Sequence, residues 1–252
     1  MEGSMFVVSL ISAWALLRLG KFLVPMSSGF VIPISSEMLF AVAMISFLCC
    51  PKLLLVMIAL AGPLLSFLYF KRSSSNLILL KSMAYSISII GAAFVDYSYY
   101  STIESFVTGF LYPTPELISL SIIVFLLAIL LKVFEYPINF SLFDMEYSQI
   151  KGLKPKLWLT LVYVSAAYVG AQLTFFQGFL LAHVTSLSLL VVGYLLRELR
   201  SEITALLVFA VVNYVSGIYL PLAYSSAVSS VALLLLWQAR EKALPNVRKT
   251  LM

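Results

Sequence analysis

Charged residues are scarce in this chain. Asp, Glu, Lys and Arg make up only 11% of its 252 residues, whereas 62% are hydrophobic. A water-soluble domain carries about 25% charged residues. The chain therefore lacks the polar surface that a globule in water needs, and the lipid bilayer must be its solvent. We predict an all-α polytopic membrane bundle of about 8–9 transmembrane helices, forming a single membrane domain over residues 1–252.

Side chains that usually bind metals or carry out chemistry are also few. His183 is the only histidine, and the two cysteines, Cys49 and Cys50, are neighbours. Adjacent cysteines rarely form a disulfide, and two ligands do not make a zinc site. The chain has no Gly-rich phosphate loop and no Ser/His/Asp or Cys/His set. We therefore predict no catalytic residue, no metal site and no cofactor within this chain.

The net charge of +5 indicates membrane topology and not a nucleic-acid partner, because the basic residues do not interleave with aromatic residues. Apolar segments that predict spans lie at residues 5–24, 37–50, 52–70, 78–96, 116–135, 157–177, 178–196, 202–220 and 222–239. In this arrangement nearly all basic loops fall on one side. The positive-inside rule then predicts a plasma (inner) membrane protein with its N-terminus outside and its C-terminus in the cytoplasm.

Two stretches outside the spans, residues 25–36 and 136–156, are predicted cytoplasmic surface segments. The sequence "FEYPINFSLFDMEYSQIKGLKPK" at 134–156 holds Glu135, Asp144 and Glu146, three of the 11 acidic residues. Its composition fits a solvated connection between two spans. It also fits a docking surface or cavity lip, because acidic residues near membrane depth are usually kept for pairing or proton handling.

Four stretches, in their order along the chain, resemble the membrane subunit shared by respiratory complex I (its subunit 1) and energy-converting nickel–iron hydrogenases. The matching features are Arg18-Leu19-Gly20, the pair Gly29 and Pro33, the turn "SSSNLILLKSMAYSI", the acidic pattern of Glu135, Pro137, Asp144, Glu146 and Gly152, and the turn "LLRELRSEI". The resemblance covers roughly residues 10–220.

This resemblance implies an anchoring and coupling subunit of a redox-driven ion-translocating complex. Such a subunit links a cytoplasmic iron–sulfur arm, which holds the clusters and the active site, to antiporter-like membrane subunits. The chain would then be a non-catalytic subunit of an oxidoreductase complex. The implied coupling carboxylates are Glu135, Asp144 and Glu146, with Lys81 and Arg197 as charge partners. The implied docking surface comprises Arg18, Gly29, Pro33, Glu37, Pro137 and Gly152.

The chain departs from that family at the position of the quinone headgroup. Where the family carries a glutamine, an aspartate and a lysine, this chain has Ile32, Ser36 and Leu39. A cavity without convergent polar groups gives a quinone little orientation. We therefore expect no tightly bound quinone.

Two alternatives from other classes remain. One is a stand-alone polytopic transporter or channel, which needs polar residues at mid-span or broken helices. The other is a purely structural assembly subunit that has lost its ion path.

Overall fold

The computed structural model describes residues 2–49 except 27, 29 and 30, residues 114–196 and 199–243, and separate positions between 82 and 104. Within this part of the chain the secondary structure is helical, which confirms the all-α prediction. The described helices are α1 (Glu2–Leu23), α2 (Val31–Cys49), α3 (Pro115–Val133), α4 (Glu135–Phe143), α5 (Met145–Ile150), α6 (Pro155–Leu195), α7 (Leu199–Gly217) and α8 (Leu222–Ala243).

Three of the described helices are long and apolar enough to cross a membrane. They are Gly3–Leu23, Pro155–Gly178 and Leu222–Arg240, and a bent pair formed by α3 and α4 would add a fourth. Leu180–Leu195 and Ser201–Gly217 are shorter apolar helices. The predicted span 52–70 lies outside the described residues, and only separate positions of the span 78–96 are described.

Helix α1 lies at the centre of the described bundle. Its side chains Leu16, Leu17, Leu19 and Phe22 are fully buried, and it packs against α3, α6 and α7. The helix also carries Arg18, which is buried as well, so both apolar and polar contacts hold it in the interior.

Two glycines allow α1 and α6 to cross at backbone contact. A Cβ atom on Gly20 would lie 2.2 Å from the carbonyl oxygen of Leu190, and one on Gly193 would lie 2.2 Å from that of Leu17. Such close approach of two backbones is typical of small residues at helix crossings in membranes. The contact holds the C-terminal part of α1 against the C-terminal part of α6.

Helix α6 reverses direction at Gly178. A straight helix of its 41 residues would be about 62 Å long. Gly178 instead has φ 73° and ψ 160°, a conformation that is essentially restricted to glycine. Trp158, near the start of α6, packs on Phe134 at 4.8 Å between ring centroids, and Leu190 touches Gly20. Both ends of α6 thus lie near the C-terminal end of α1, and the break coincides with the predicted boundary between 177 and 178.

The predicted loop after the fifth apolar segment is helical. The chain bends by 68° between α3 and α4, so Glu135 begins α4 and does not end the preceding span. Asp144 then caps α5, since its carboxylate accepts a hydrogen bond from the Tyr147 N–H at 2.8 Å. Gly152 follows α5 with φ 77°, which ends the helical turn.

Helix α2 begins at Val31, earlier than the predicted start of the apolar segment at residue 37. Pro33 lies in its first turn, where a missing N–H costs no helical hydrogen bond. This helix therefore includes Glu37, for which we predicted a place on the docking surface. Of the other predicted site residues, Gly29, Lys81 and Arg197 lie outside the described residues.

Candidate functional site

A cluster of five charged side chains joins α1, the α3–α4 bend and α7; we call it the ion cluster. Its two innermost members, Arg18 and Glu202, are each 1% exposed, and Nε of Arg18 lies 2.7 Å from Oε1 of Glu202. The Arg18 Nη1 atom also donates to Oε2 of Glu135 at 3.0 Å. Trp14 donates its indole N–H to Glu202 at 3.0 Å.

Two lysines complete the ion cluster. Lys21 Nζ lies 3.1 Å from Glu202 and 3.7 Å from Glu135, so it bridges the same two carboxylates as Arg18. Lys132 Nζ lies 2.8 Å from Glu135, but its side chain is 40% exposed. Three cations and two anions give the cluster a net charge of +1. Because every carboxylate faces at least two cations, neither acid is left as an uncompensated buried charge.

The environment of Glu135 favours its ionised form. Burial alone would raise the pKa of this carboxyl, but the hydrogen bond from Lys132 and the charges of Lys21 and Arg18 outweigh that effect and lower it. Glu135 therefore stays a carboxylate and keeps its ion pairs at neutral pH.

The structure brings together only part of the predicted coupling set. Glu135 belongs to the ion cluster, whereas Asp144, which caps α5, and Glu146, in its first turn, are exposed and form no ion pair with it. Arg18, predicted for a docking surface, is buried and pairs inside the bundle. Glu202 lies in the turn "LLRELRSEI" but is not among the predicted site residues. The available signal was an acid at the very start of an apolar helix.

A second polar pair lies beside the α6 break. His183 Nε2 is 3.0 Å from Oε1 of Glu37, and the Glu37 side chain is only 7% exposed. The two residues are 146 positions apart and meet because α2 packs on α6. Imidazole nitrogen and carboxylate oxygen both ligate divalent metals. Within the described residues there is no group of three or more His, Cys, Asp or Glu side chains placed to hold a metal.

Buried amides flank the same break. Gln177 donates to Ser226 of α8, and Gln172 donates to Ser121 of α3 at 2.9 Å. Each serine uses its own proton on a carbonyl of its helix, so it can only accept from the amide. The two glutamine carbonyl oxygens are thereby left buried without a hydrogen-bond donor among the described residues. The interior around the reversal is thus richer in polar acceptors than its apolar sequence suggests.

Two solved structures have a similar fold over nearly the whole chain. The PsaBC complex of Streptococcus pneumoniae, determined with a Fab, matches with a TM-score of 0.71 and 15% identity, over 92% of this chain and 89% of that chain. A protein assigned to the metal-chelate type of ABC transporter, in an inward-facing conformation, matches with a TM-score of 0.59 and 17% identity, over 93% and 85%. No family model and no curated protein matches the sequence. At these identities the likeness establishes the fold alone.

These matches overturn the resemblance to complex I subunit 1 and the membrane subunit of energy-converting hydrogenases. The predicted function as the anchor of a redox-driven complex is therefore wrong. So are the predicted iron–sulfur arm and antiporter-like partners. The transporter alternative agrees better with the neighbours. The error has a physical cause: an Arg-Leu-Gly sequence near the end of a span, prolines at helix ends and an acidic connection between spans satisfy the general needs of polytopic bundles, and their order alone does not identify one family.

Proposed function

We propose that this chain is the membrane-spanning subunit of an ABC-type transporter whose cargo is a divalent transition-metal ion or its chelate. The whole-chain likeness to the two neighbours supports the transporter class. The pair of Glu37 and His183 supports the cargo class, and it is the observation that carries the proposal.

The Glu37–His183 pair suits a passing ion better than a resident one. Its Nε2 and Oε1 atoms, now joined by a hydrogen bond, are the atoms that would ligate the metal. Within the described part of the chain these two side chains are the protein ligands, and water or the chelating molecule can fill further coordination positions. A transported ion must leave its site again, so a small ligand set is an advantage. Its place beside the α6 break fits the rule that irregular backbone at membrane depth lines a cavity or path.

The segment formed by α4 and α5 is the proposed docking surface for the ATPase subunit. It projects from the α3 bend and exposes large apolar side chains. Those that are at least 40% exposed are Tyr136, Phe143, Met145, Tyr147 and Ile150. Three lysines follow it closely at 151–156. By the positive-inside rule we propose that this end of the bundle faces the cytoplasm, where an ATPase operates, and that the N-terminus of α1 lies outside. Eight or nine spans over the full chain remain our proposal.

Purification of the tagged chain from its native membrane tests the proposal. We expect an ATPase of the ABC class, identified by mass spectrometry, to co-purify in stoichiometric amount. Its hydrolysis should be stimulated when the complex is reconstituted in lipid. Exposed Phe143 and Ile150 provide a docking variant, since changing both to Ser should weaken the association without altering the bundle. Purification of the wild-type chain free of any such ATPase, or in complex with iron–sulfur proteins, would refute the proposal.

A further inference from the structure

The α4–α5 segment is built as one stiff unit. Ser148 of α5 donates to the carbonyl oxygens of Asp144 and Phe140, at 2.6 and 3.1 Å. The ring of Phe140 packs against Tyr147 at 5.6 Å between centroids. These contacts hold the two short helices together as one segment.

Glu135 lies at the end of that segment that joins the rest of the bundle. It is the first residue of α4, directly after the bend at Phe134, so a rotation of α4 about the bend acts on its side chain. The Glu135 carboxylate is held by Arg18 at 3.0 Å and by Lys21 at 3.7 Å, both on α1.

The same two α1 cations hold Glu202 in the first turn of α7, at 2.7 and 3.1 Å. Two parallel bridges therefore run from α4 through α1 to α7. Next to them, Gly20 of α1 lies in backbone contact with α6, on the half of α6 that carries His183. The ion cluster is thus connected to the Glu37–His183 pair through the packing of α1 against this half of α6.

We infer that Glu135 is the positioning residue that transmits movement of the α4–α5 segment, through Arg18 and Lys21, to α1 and α7. The inference rests on the proposed function, since it assigns that movement to the ATPase. It also accounts for the composition of the cluster: buried ion pairs often stabilise no better than apolar packing, so their use here fits a device that fixes the relative positions of helices.

Hydrogen exchange of the chain alone in lipid nanodiscs tests the link without any partner. In Glu135→Gln we expect the amides of α4 to exchange about tenfold faster or more, while α1 and α7 keep their wild-type protection. Lys132→Gln is the matched control, because it removes an exposed ion pair to the same carboxylate and should leave α4 near wild type. Glu135→Asp should restore part of the protection. Unchanged exchange of α4 in Glu135→Gln, or an equal rise in all helices, would overturn the inference.

A second readout uses the reconstituted complex with its ATPase and Mn²⁺ as the transported probe. Glu135→Gln should keep ATP hydrolysis but move at least about threefold fewer ions per ATP, whereas loss of docking would lower both. A wild-type ratio of transport to hydrolysis in Glu135→Gln would overturn the inference. If the wild-type chain itself moves no ion although α4 loosens in Glu135→Gln, the proposed function fails, whereas the helix link is supported.

Discussion

At the scale of single residues, the ion cluster contains two ion pairs to the same carboxylate, one of them buried and the other exposed. Arg18 is 1% exposed and Lys132 is 40% exposed, yet both pair with Glu135 Oε2 at about the same distance. Removing one partner of a buried pair leaves a charge without compensation, whereas an exposed pair is screened by water. Burial therefore decides which of the two contacts matters for stability.

We predict that Arg18→Met lowers the free energy of unfolding by at most about 3–5 kcal/mol, the cost of breaking a buried ion pair, because Glu202 then keeps Lys21 as its one cation in the ion cluster. Lys132→Met should change it by no more than about 1 kcal/mol. Unfolding of both variants in mixed micelles, titrated with SDS, measures the difference. Similar losses for the two variants would contradict the assignment of Arg18 to the interior.

The lowered pKa of Glu135 gives a prediction for acidic pH. A carboxyl with a lowered pKa in the folded state stabilises that state fully above its ordinary value near 4.5 and loses this contribution as the pH falls through the lowered value. The stability difference between wild type and Glu135→Gln should thus be constant around neutral pH and shrink only below about pH 4.5. A difference that shrinks between pH 7 and 5 would contradict the ion pairing of Glu135.

At the scale of helices, the crossing of α1 and α6 depends on the absence of two side chains. Backbone atoms, unlike the ends of flexible side chains, cannot move aside, so a methyl group at Gly20 or Gly193 must push the helices apart. The reversal of α6 depends on Gly178 in a similar way, because φ 73° with ψ 160° strains any residue with a Cβ.

Gly193→Ala should therefore destabilise the bundle by about 1–3 kcal/mol, the usual cost of overpacking. Gly3→Ala is the matched control within a helix: nothing lies within 4 Å of its added Cβ, and alanine favours the helix by up to about 1 kcal/mol. Thermal unfolding of the two variants in the same detergent compares them. Equal midpoints would show that α1 and α6 are not in backbone contact.

The sequence predicted helices well because the apolar segments are long and membrane helices satisfy their own backbone. The boundary between 177 and 178 was predicted correctly, and Glu135, one of the predicted site residues, belongs to the ion cluster. The partners were not predictable: Glu37 meets His183, and Arg18 meets Glu202, across separations of 146 and 184 residues (202 − 18). The hydrophobicity pattern of a sequence indicates which segments are apolar helices, but it does not indicate which helix faces pack against each other.

At the scale of the whole molecule, the features form one path. The α4–α5 segment projects at one end, the ion cluster connects it to α1 and α7, and the glycine crossing connects α1 to the half of α6 that carries His183. In the proposed transporter, this path would connect the ATPase docking surface to the Glu37–His183 pair.

The most direct test of this account is ATP-dependent Mn²⁺ and Zn²⁺ uptake into proteoliposomes that contain the chain with its co-purified ATPase. We predict uptake of at least one of the two ions by the wild type, with a loss of about tenfold or more in both Glu37→Gln and His183→Gln, because each removes a proposed metal ligand. Tyr194→Phe, an exposed change on the same half of α6, should transport as wild type does. Uptake that is equal in all four proteins, or a wild-type complex that hydrolyses ATP and moves neither ion, would contradict the account.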